Sequence, residues 1–113
     1  MSERILCEAN TYVRVTDERG PGHANHCYQV MTAQKVLQGI VFQKGPIQES
    51  GVNGVQNEDL LMIVIDRLIG FQTGEFACDE NEEALRHLIQ AASVLQLRTA
   101  KRKARGVEGK SEK

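Results

Sequence analysis

The sequence predicts an α+β fold, with a small N-terminal antiparallel β-sheet followed by two C-terminal helices, the last one long. Before about residue 56, apolar and polar side chains alternate in short segments separated by glycine-rich turns. After that point, apolar residues recur every three or four positions. A period of two is typical of strands, and a period of three to four is typical of helices. The chain of 113 residues is expected to be a single domain (1–113), with a β-rich part (1–56), a helical part (57–106) and a flexible tail (107–113).

Three segments of the N-terminal part have the pattern of strands. Residues 10–17 are rich in β-branched and aromatic side chains, and they alternate with a period of two. A turn with one proline and two glycines follows at 19–23, and residues 25–32 alternate again, which predicts a hairpin. Residues 36–44 are the third candidate strand. Residues 45–56 hold three glycines and a proline, and they are predicted to form an ordered loop or a very short strand.

The first helix is predicted over residues 58–70. Asn57 is a plausible N-cap, and Glu58 and Asp59 suit the positive end of a helix dipole. Gly70 is the expected stop, because glycine favours the conformation that ends helices. The apolar positions form one broad face, made of Leu60, Leu61, Val64, Ile65 and Leu68.

The second helix is predicted to follow an acidic capping segment at 79–83 and to run to about Arg105. Asp79 and Glu82 have the D-x-x-E spacing that resembles a capping box, and Gly106 is the expected C-cap. The apolar stripe is narrow and has a three/four spacing that suits packing on another helix; its members are Leu85, Leu88, Ala92, Leu95 and Thr99.

Composition excludes several classes of protein. The longest unbroken apolar run covers residues 60–65, far shorter than the ~20 residues of a membrane span. The charged N-terminal segment MSERILCEAN lacks the apolar stretch of a signal peptide, so secretion is not expected. The three cysteines, at positions 7, 27 and 78, have no disulfide-scaffold spacing and fit a reducing cytosol. The net charge of −1 provides no global field that attracts nucleic acid.

The end of the second helix carries the clearest chemical signal. Arg98, Arg102 and Arg105 are spaced i, i+4 and i+7, so they share one helix face, and Lys101 and Lys103 lie among them. Guanidinium groups bind pairs of phosphate oxygens. Three interpretations remain open from the residues alone: a solvated surface that complements the helix dipole, a phosphate site, or a stripe that binds duplex nucleic acid.

Other candidate sites are weaker. His23 and His26 form an H-x-x-H motif next to Cys27, but a metal site needs two to four converging ligands, and this spacing is loose. A metal-dependent hydrolase built on these three residues is the least favoured hypothesis. No phosphate-binding loop, dinucleotide-binding motif or nucleophile elbow is present in the sequence.

Three segments resemble a known family: GVNGVQNEDLL (51–61), GFQTGEFACDEN (70–81) and RTAKRKARGVEG (98–109). They are similar to the phage-encoded Thoeris anti-defence type-one family. Its members are sponges, which bind the glycocyclic ADP-ribose signal of bacterial TIR-domain enzymes without destroying it. Some members also bind cyclic trinucleotides of the CBASS defence at separate sites. The family fold pairs a small antiparallel sheet with two helices, and its assemblies are hexamers built from dimers.

The resemblance implies a set of binding residues. The family pocket uses an aromatic residue in the helix connector, an asparagine at the start of the last helix, and two arginines one turn apart near its end. These positions are Phe71, Asn81, Arg98 and Arg102 in this chain. The resemblance implies no catalytic residue, no metal and no cofactor. It places the protein in the cytoplasm of the infected bacterial host.

Helix geometry adds a constraint on this pocket. Asn81 and Arg98 are 17 residues apart on one predicted helix, which corresponds to about 25 Å. They share one small ligand only if a second copy runs antiparallel to the first, so the pocket requires at least a dimer.

The favoured hypothesis is therefore a sequestering protein and not an enzyme, with cyclic nucleotide signals as ligands and no membrane or nucleic-acid polymer as partner. The alternative is a small phage protein that binds nucleic acid through the basic end of the last helix.

Overall fold

A computed structural model describes residues 4–106, except for the side chains at positions 7, 8 and 21. The predicted tail at 107–113 lies outside the described residues. The chain divides between Val55 and Gln56 into two compact units. The predicted α+β class is confirmed, since a four-stranded antiparallel sheet precedes the helices and the last helix is long. Within the described residues, no helix combines the length and the apolar character that crossing a bilayer requires.

The first unit is an antiparallel meander. Its four strands lie in sequence order in the sheet, and each pairs with the next. The three predicted strands are present, and a further strand precedes them. The sequence did not predict this first strand, because its RILCE segment lacks a regular alternation of polar and apolar residues. The strands are β1 (Arg4–Glu8), β2 (Tyr12–Val15), β3 (Cys27–Met31) and β4 (Val36–Val41).

Asp17 closes the hairpin between β2 and β3. Its carboxylate accepts hydrogen bonds from the backbone N–H groups of His26 (3.0 Å) and Cys27 (3.2 Å), and its carbonyl accepts one from the Asn25 side chain (2.8 Å). Burial tends to raise the pKa of Asp17, but the hydrogen bonds that His26, Cys27 and Asn25 donate to its carboxylate favour the charged form and leave the pKa below its usual value. The predicted turn contains one 3-10 turn, Pro21–His23.

The segment after β4 is an ordered loop, as predicted, and it contains one short helix, α1 (Ile47–Ser50). The Asn53 side chain pairs with both backbone groups of Lys44, at 2.8 Å each. Phe42 and Val55 form an isolated parallel bridge. Between these contacts, the backbone of Gly54 lies directly against that of Phe42: a Cβ at position 54 would be 2.4 Å from the Phe42 carbonyl carbon.

We expect the Gly54→Ala substitution to destabilise the first unit by about 1–3 kcal/mol, because the added methyl group overlaps backbone atoms that cannot rotate away. Gly39→Ala is the matched control, since a Cβ at position 39 in β4 has no neighbour within 4 Å among the described atoms. Urea unfolding of both variants checks this expectation. Equal midpoints for the two variants would contradict the close backbone approach.

The second unit is a helical hairpin formed by α2 (Asn57–Gln72) and α3 (Asp79–Ala104), which a short connector joins. The predicted apolar faces pack together in part, since Val64 of the first predicted face is 44% exposed. Ile65 of α2 and Leu85 and Ala92 of α3 are buried, and the flanking positions are Leu61, Leu68 and Leu88. Burial of these aliphatic side chains supplies the main stabilisation of the hairpin.

The predicted ends of the first helix were wrong by one or two residues. The N-cap is Gln56 and not Asn57, because the Asp59 carboxylate accepts a hydrogen bond from the Gln56 backbone N–H at 2.8 Å. Gly70 does not end the helix, which continues to Gln72. The end is set at Thr73, whose backbone N–H and hydroxyl both donate to the Gly70 carbonyl, at 3.1 and 2.7 Å. A single glycine therefore does not stop a helix when capping groups lie further on.

The last helix agrees more closely with the prediction. The predicted capping role of Asp79 was wrong: Asp79 is the first residue of the helix. The N-cap is Cys78, whose sulfur accepts a hydrogen bond from the Asn81 backbone N–H at 3.4 Å. At the other end, Arg105 is the C-cap, and Gly106 follows with a positive φ of 75°. Only glycine adopts this conformation without strain, which explains why the helix ends there.

Candidate functional site

The four residues of the expected pocket occupy two places on the hairpin. Phe71 and Asn81 lie where α2 passes into α3, a region that we call the elbow and define as Arg67, Phe71, Phe76 and Asn81. Arg98 and Arg102 lie near the far end of α3.

The elbow contains a pair of perpendicular aromatic rings. Phe71 is half-buried and lies in the last turn of α2, not in the connector as expected, because the helix continues past Gly70 to Gln72. Phe76 lies in the connector and is 68% exposed. Their ring centroids are 6.4 Å apart, with an interplanar angle of 86°. The guanidinium carbon of Arg67 lies 4.9 Å from the Phe71 centroid, which is cation–π distance. Arg67 therefore covers one face of the Phe71 ring.

Hydrogen bonds within the connector hold the elbow in shape. The Gln72 side chain pairs with both backbone groups of Cys78, at 3.1 and 3.2 Å. The Asn81 side-chain amide donates to the Phe76 carbonyl at 3.3 Å. This bond fixes the orientation of the Asn81 amide, whose carbonyl oxygen and second N–H are the groups that read the edge of an adenine base in other proteins.

The second place is an open groove on α3, with a volume of about 530 Å³, which we call the basic groove. Val94 and Leu97 form an apolar floor, and their side chains are 58% and 54% exposed, respectively. Four cations surround this floor. An exposed apolar surface surrounded by positive charge suits a ligand that combines phosphates with a base or a sugar. The lining residues are Val94, Leu97, Arg98, Lys101, Arg102 and Arg105.

The two places are far apart within one chain. Asn81 and Arg98 belong to the same uninterrupted helix, so about 25 Å of helix axis separates them. The structure therefore brings Phe71 together with Asn81, and Arg98 together with Arg102, but it does not join the two pairs.

Charges along α3 are segregated. The first turn carries Asp79, Glu80 and Glu82, and the last turn carries Lys101, Arg102 and Lys103. Both arrangements complement the helix dipole. They also make α3 complementary in charge to a second copy of itself running in the opposite direction.

The histidine motif does not form a metal site among the described side chains, where no three His, Cys, Asp or Glu groups cluster as metal ligands would. His23 Nε2 lies 3.1 Å from a guanidinium nitrogen of Arg19, and His26 is buried. The hydrolase hypothesis therefore has no support from this region.

The sequence did not single out two members of the elbow, Arg67 and Phe76. A signal was available for Arg67, which precedes Phe71 by four positions and so shares its helix face. Phe76 lies in a glycine-containing connector, where spacing alone gives no orientation. The apolar floor of the groove was also missed, because Val94 and Leu97 lie outside the expected stripe of the helix.

Comparison with known proteins assigns the chain to a family. Residues 34–100 match the sequence profile of the Acb2/Tad1 hairpin domain, a range that includes β4, α2 and most of α3. The chain is also 52% identical over 77 residues to the protein named Thoeris anti-defense 1 of Bacillus phage SBSphiJ7. That alignment covers 68% of this chain and 54% of the relative, so the chain spans about half the length of the curated relative it matches. With more than half of its residues inside the family profile, the chain belongs to the Acb2/Tad1 family.

Proposed function

We propose that this protein is a phage anti-defence protein that binds and sequesters glycocyclic ADP-ribose, the signal of Thoeris immunity, without cleaving it. The supporting observation is the pair of half-sites on the hairpin: an aromatic elbow with an oriented amide and a basic groove with an apolar floor. Family membership and the name of the phage relative support the same proposal. The site of action is the cytoplasm of the infected bacterial host.

Each half-site suits one part of the ligand. The adenine stacks on Phe71, and the Asn81 amide hydrogen-bonds to its edge. Arg98 and Arg102 lie one turn apart, and their guanidinium groups clamp the diphosphate. Sequestration needs tight binding and no proton transfer, so these four residues provide all the chemistry that the proposal requires.

The two half-sites meet when two copies pair in opposite directions. A twofold axis crossing α3 near residue 91 or 92 sets Asn81 of one copy beside Arg102 of the other. The same pairing places acidic first turns against basic last turns. We therefore propose a dimer with two pockets, each composed of one elbow and one basic groove. As in the family it resembles, such dimers are proposed to assemble into hexamers, and cyclic trinucleotides of the CBASS defence are proposed to bind at separate sites.

Release of the ligand distinguishes a sponge from an enzyme. Excess protein is mixed with glycocyclic ADP-ribose, unbound ligand is removed, and the complex is heated until the protein denatures. We expect chromatography to recover the intact molecule, because the proposed pocket has no nucleophile or general base. Ligand heated without protein is the control for chemical breakdown. Recovery of linear ADP-ribose from the complex alone would show that the protein is an enzyme.

The basic groove also supports a second candidate, binding of duplex nucleic acid. The net charge of −1 and the acidic first turn of α3 disfavour it. A mobility-shift assay with short duplex DNA, at rising salt concentrations, separates this candidate from the sponge: a shift that the cyclic signal does not abolish would favour nucleic-acid binding.

A further inference from the structure

The strongest unassigned feature of the hairpin is Phe76. A phenylalanine ring that is 68% exposed leaves most of its apolar surface in water, although Phe71 lies close beside it. Large exposed aromatic rings are typical of binding sites, because covering them contributes substantially to affinity.

The surroundings of Phe76 show that its position is fixed. Its carbonyl oxygen accepts the Asn81 side-chain hydrogen bond, and the Gln72–Cys78 pair clamps the connector on either side. Its ring stands at 86° to that of Phe71. The backbone of Phe76 is therefore held by these hydrogen bonds, and its exposed ring lies next to Phe71 of the proposed pocket.

Arg67 limits how a base can approach this pair. Because its guanidinium covers one face of Phe71, a base can stack only on the opposite face of that ring or on the open surface of Phe76. Two rings at a right angle form a corner. A flat base stacked on one ring therefore turns its edge towards the other, and an edge-to-face contact is favourable for aromatic systems.

We infer that Phe76 is a further ligand-contacting residue, which forms with Phe71 a two-walled corner for the purine base of the ligand. This inference rests on the proposed function and deepens it, since it assigns the base, and not the sugar or the phosphates, to Phe76. A two-ring purine spans such a corner better than a one-ring pyrimidine, so Phe76 contributes to base selectivity.

The test measures binding of glycocyclic ADP-ribose by calorimetry to the full chain and its variants. We expect Phe76→Ala to weaken binding by about 5- to 150-fold, the usual range for loss of an aromatic contact to a base. Val52→Ala is the control, because Val52 is 76% exposed and lies in the other unit. Circular dichroism checks that each variant keeps its helices, since the Asn81 bond goes to the backbone of residue 76 and does not need the ring.

Proton NMR separates a base contact from a structural role. In the wild-type complex we expect the adenine H2 and H8 signals to move upfield, because both lie in the ring currents of the corner. Phe76→Leu keeps an apolar side chain but has no ring current, so part of this shift is lost while the helices remain. Unchanged affinity and unchanged adenine shifts in the Phe76 variants would overturn the inference. No binding by the wild-type chain would instead overturn the proposed function itself.

Discussion

Replacing Arg102 with alanine is expected to weaken the binding of glycocyclic ADP-ribose by about ten- to a hundred-fold. Arg102 lines the basic groove and is half-buried there, so in the proposed pocket its guanidinium would meet a phosphate in a partly dry setting. A charge-assisted bidentate hydrogen bond contributes about 1.5–3 kcal/mol, which corresponds to this loss. Calorimetry against the wild-type protein measures the effect.

Lys103→Ala is the matched control for this experiment. Lys103 is the adjacent residue, and replacing it with alanine removes the same charge. Its side chain is exposed and does not line the groove. Its side chain points about 100° around the helix from that of Arg102. We expect a change of less than threefold from this variant, through loss of long-range attraction alone. Equal small losses of affinity for both variants would indicate that the basic end of α3 is a solvated surface and not a phosphate site.

Mixing two weakly binding variants is expected to restore tight binding. Asn81→Ala damages every elbow, and Arg102→Ala damages every basic groove, so a dimer of either variant has two defective pockets. In a mixed dimer, the undamaged elbow of one chain meets the undamaged groove of the other, and one pocket is whole. Random exchange of subunits makes half of the dimers mixed, so about a quarter of all pockets regain wild-type affinity.

The measurement is a calorimetric titration of the refolded mixture, which reports the number of tight sites per chain. Each variant refolded alone is the control and is expected to show no tight site. If a mixture behaves as the average of its parts, the pocket does not combine an elbow and a groove from different chains.

The sequence predicts the hairpin well and the sheet less completely. The buried positions Ile65, Leu85 and Ala92 follow from the helical period, because packing of two helices depends directly on that period. The first strand does not follow, because β1 lacks the alternation that identifies a strand. Pairing with β2 stabilises this strand, and pairing partners distant in the chain are not encoded in a local pattern.

The candidate site also contains residues whose placement the sequence predicts and residues whose placement it does not. Arg98 and Arg102 can be assigned to one face from spacing alone, since the helix converts sequence distance into geometry. The orientation of Phe76 cannot, because it depends on the clamp between Gln72 and Cys78 and on the hydrogen bond from Asn81. Residues of a connector acquire their positions from such specific contacts.

The continuity of α3 has a consequence for how the pocket would be built and changed. Asn81 and Arg102 belong to one helix that is uninterrupted between them. In the proposed dimer, the number of residues between Asn81 and Arg102 therefore sets the width of each pocket. A gate or a closing loop is not needed, and little conformational work accompanies ligand entry. A shift of pairing by one helical turn, about 5.4 Å, would change the width in a discrete step. A change of pairing of this kind would let the same set of side chains bind cyclic ligands of different size.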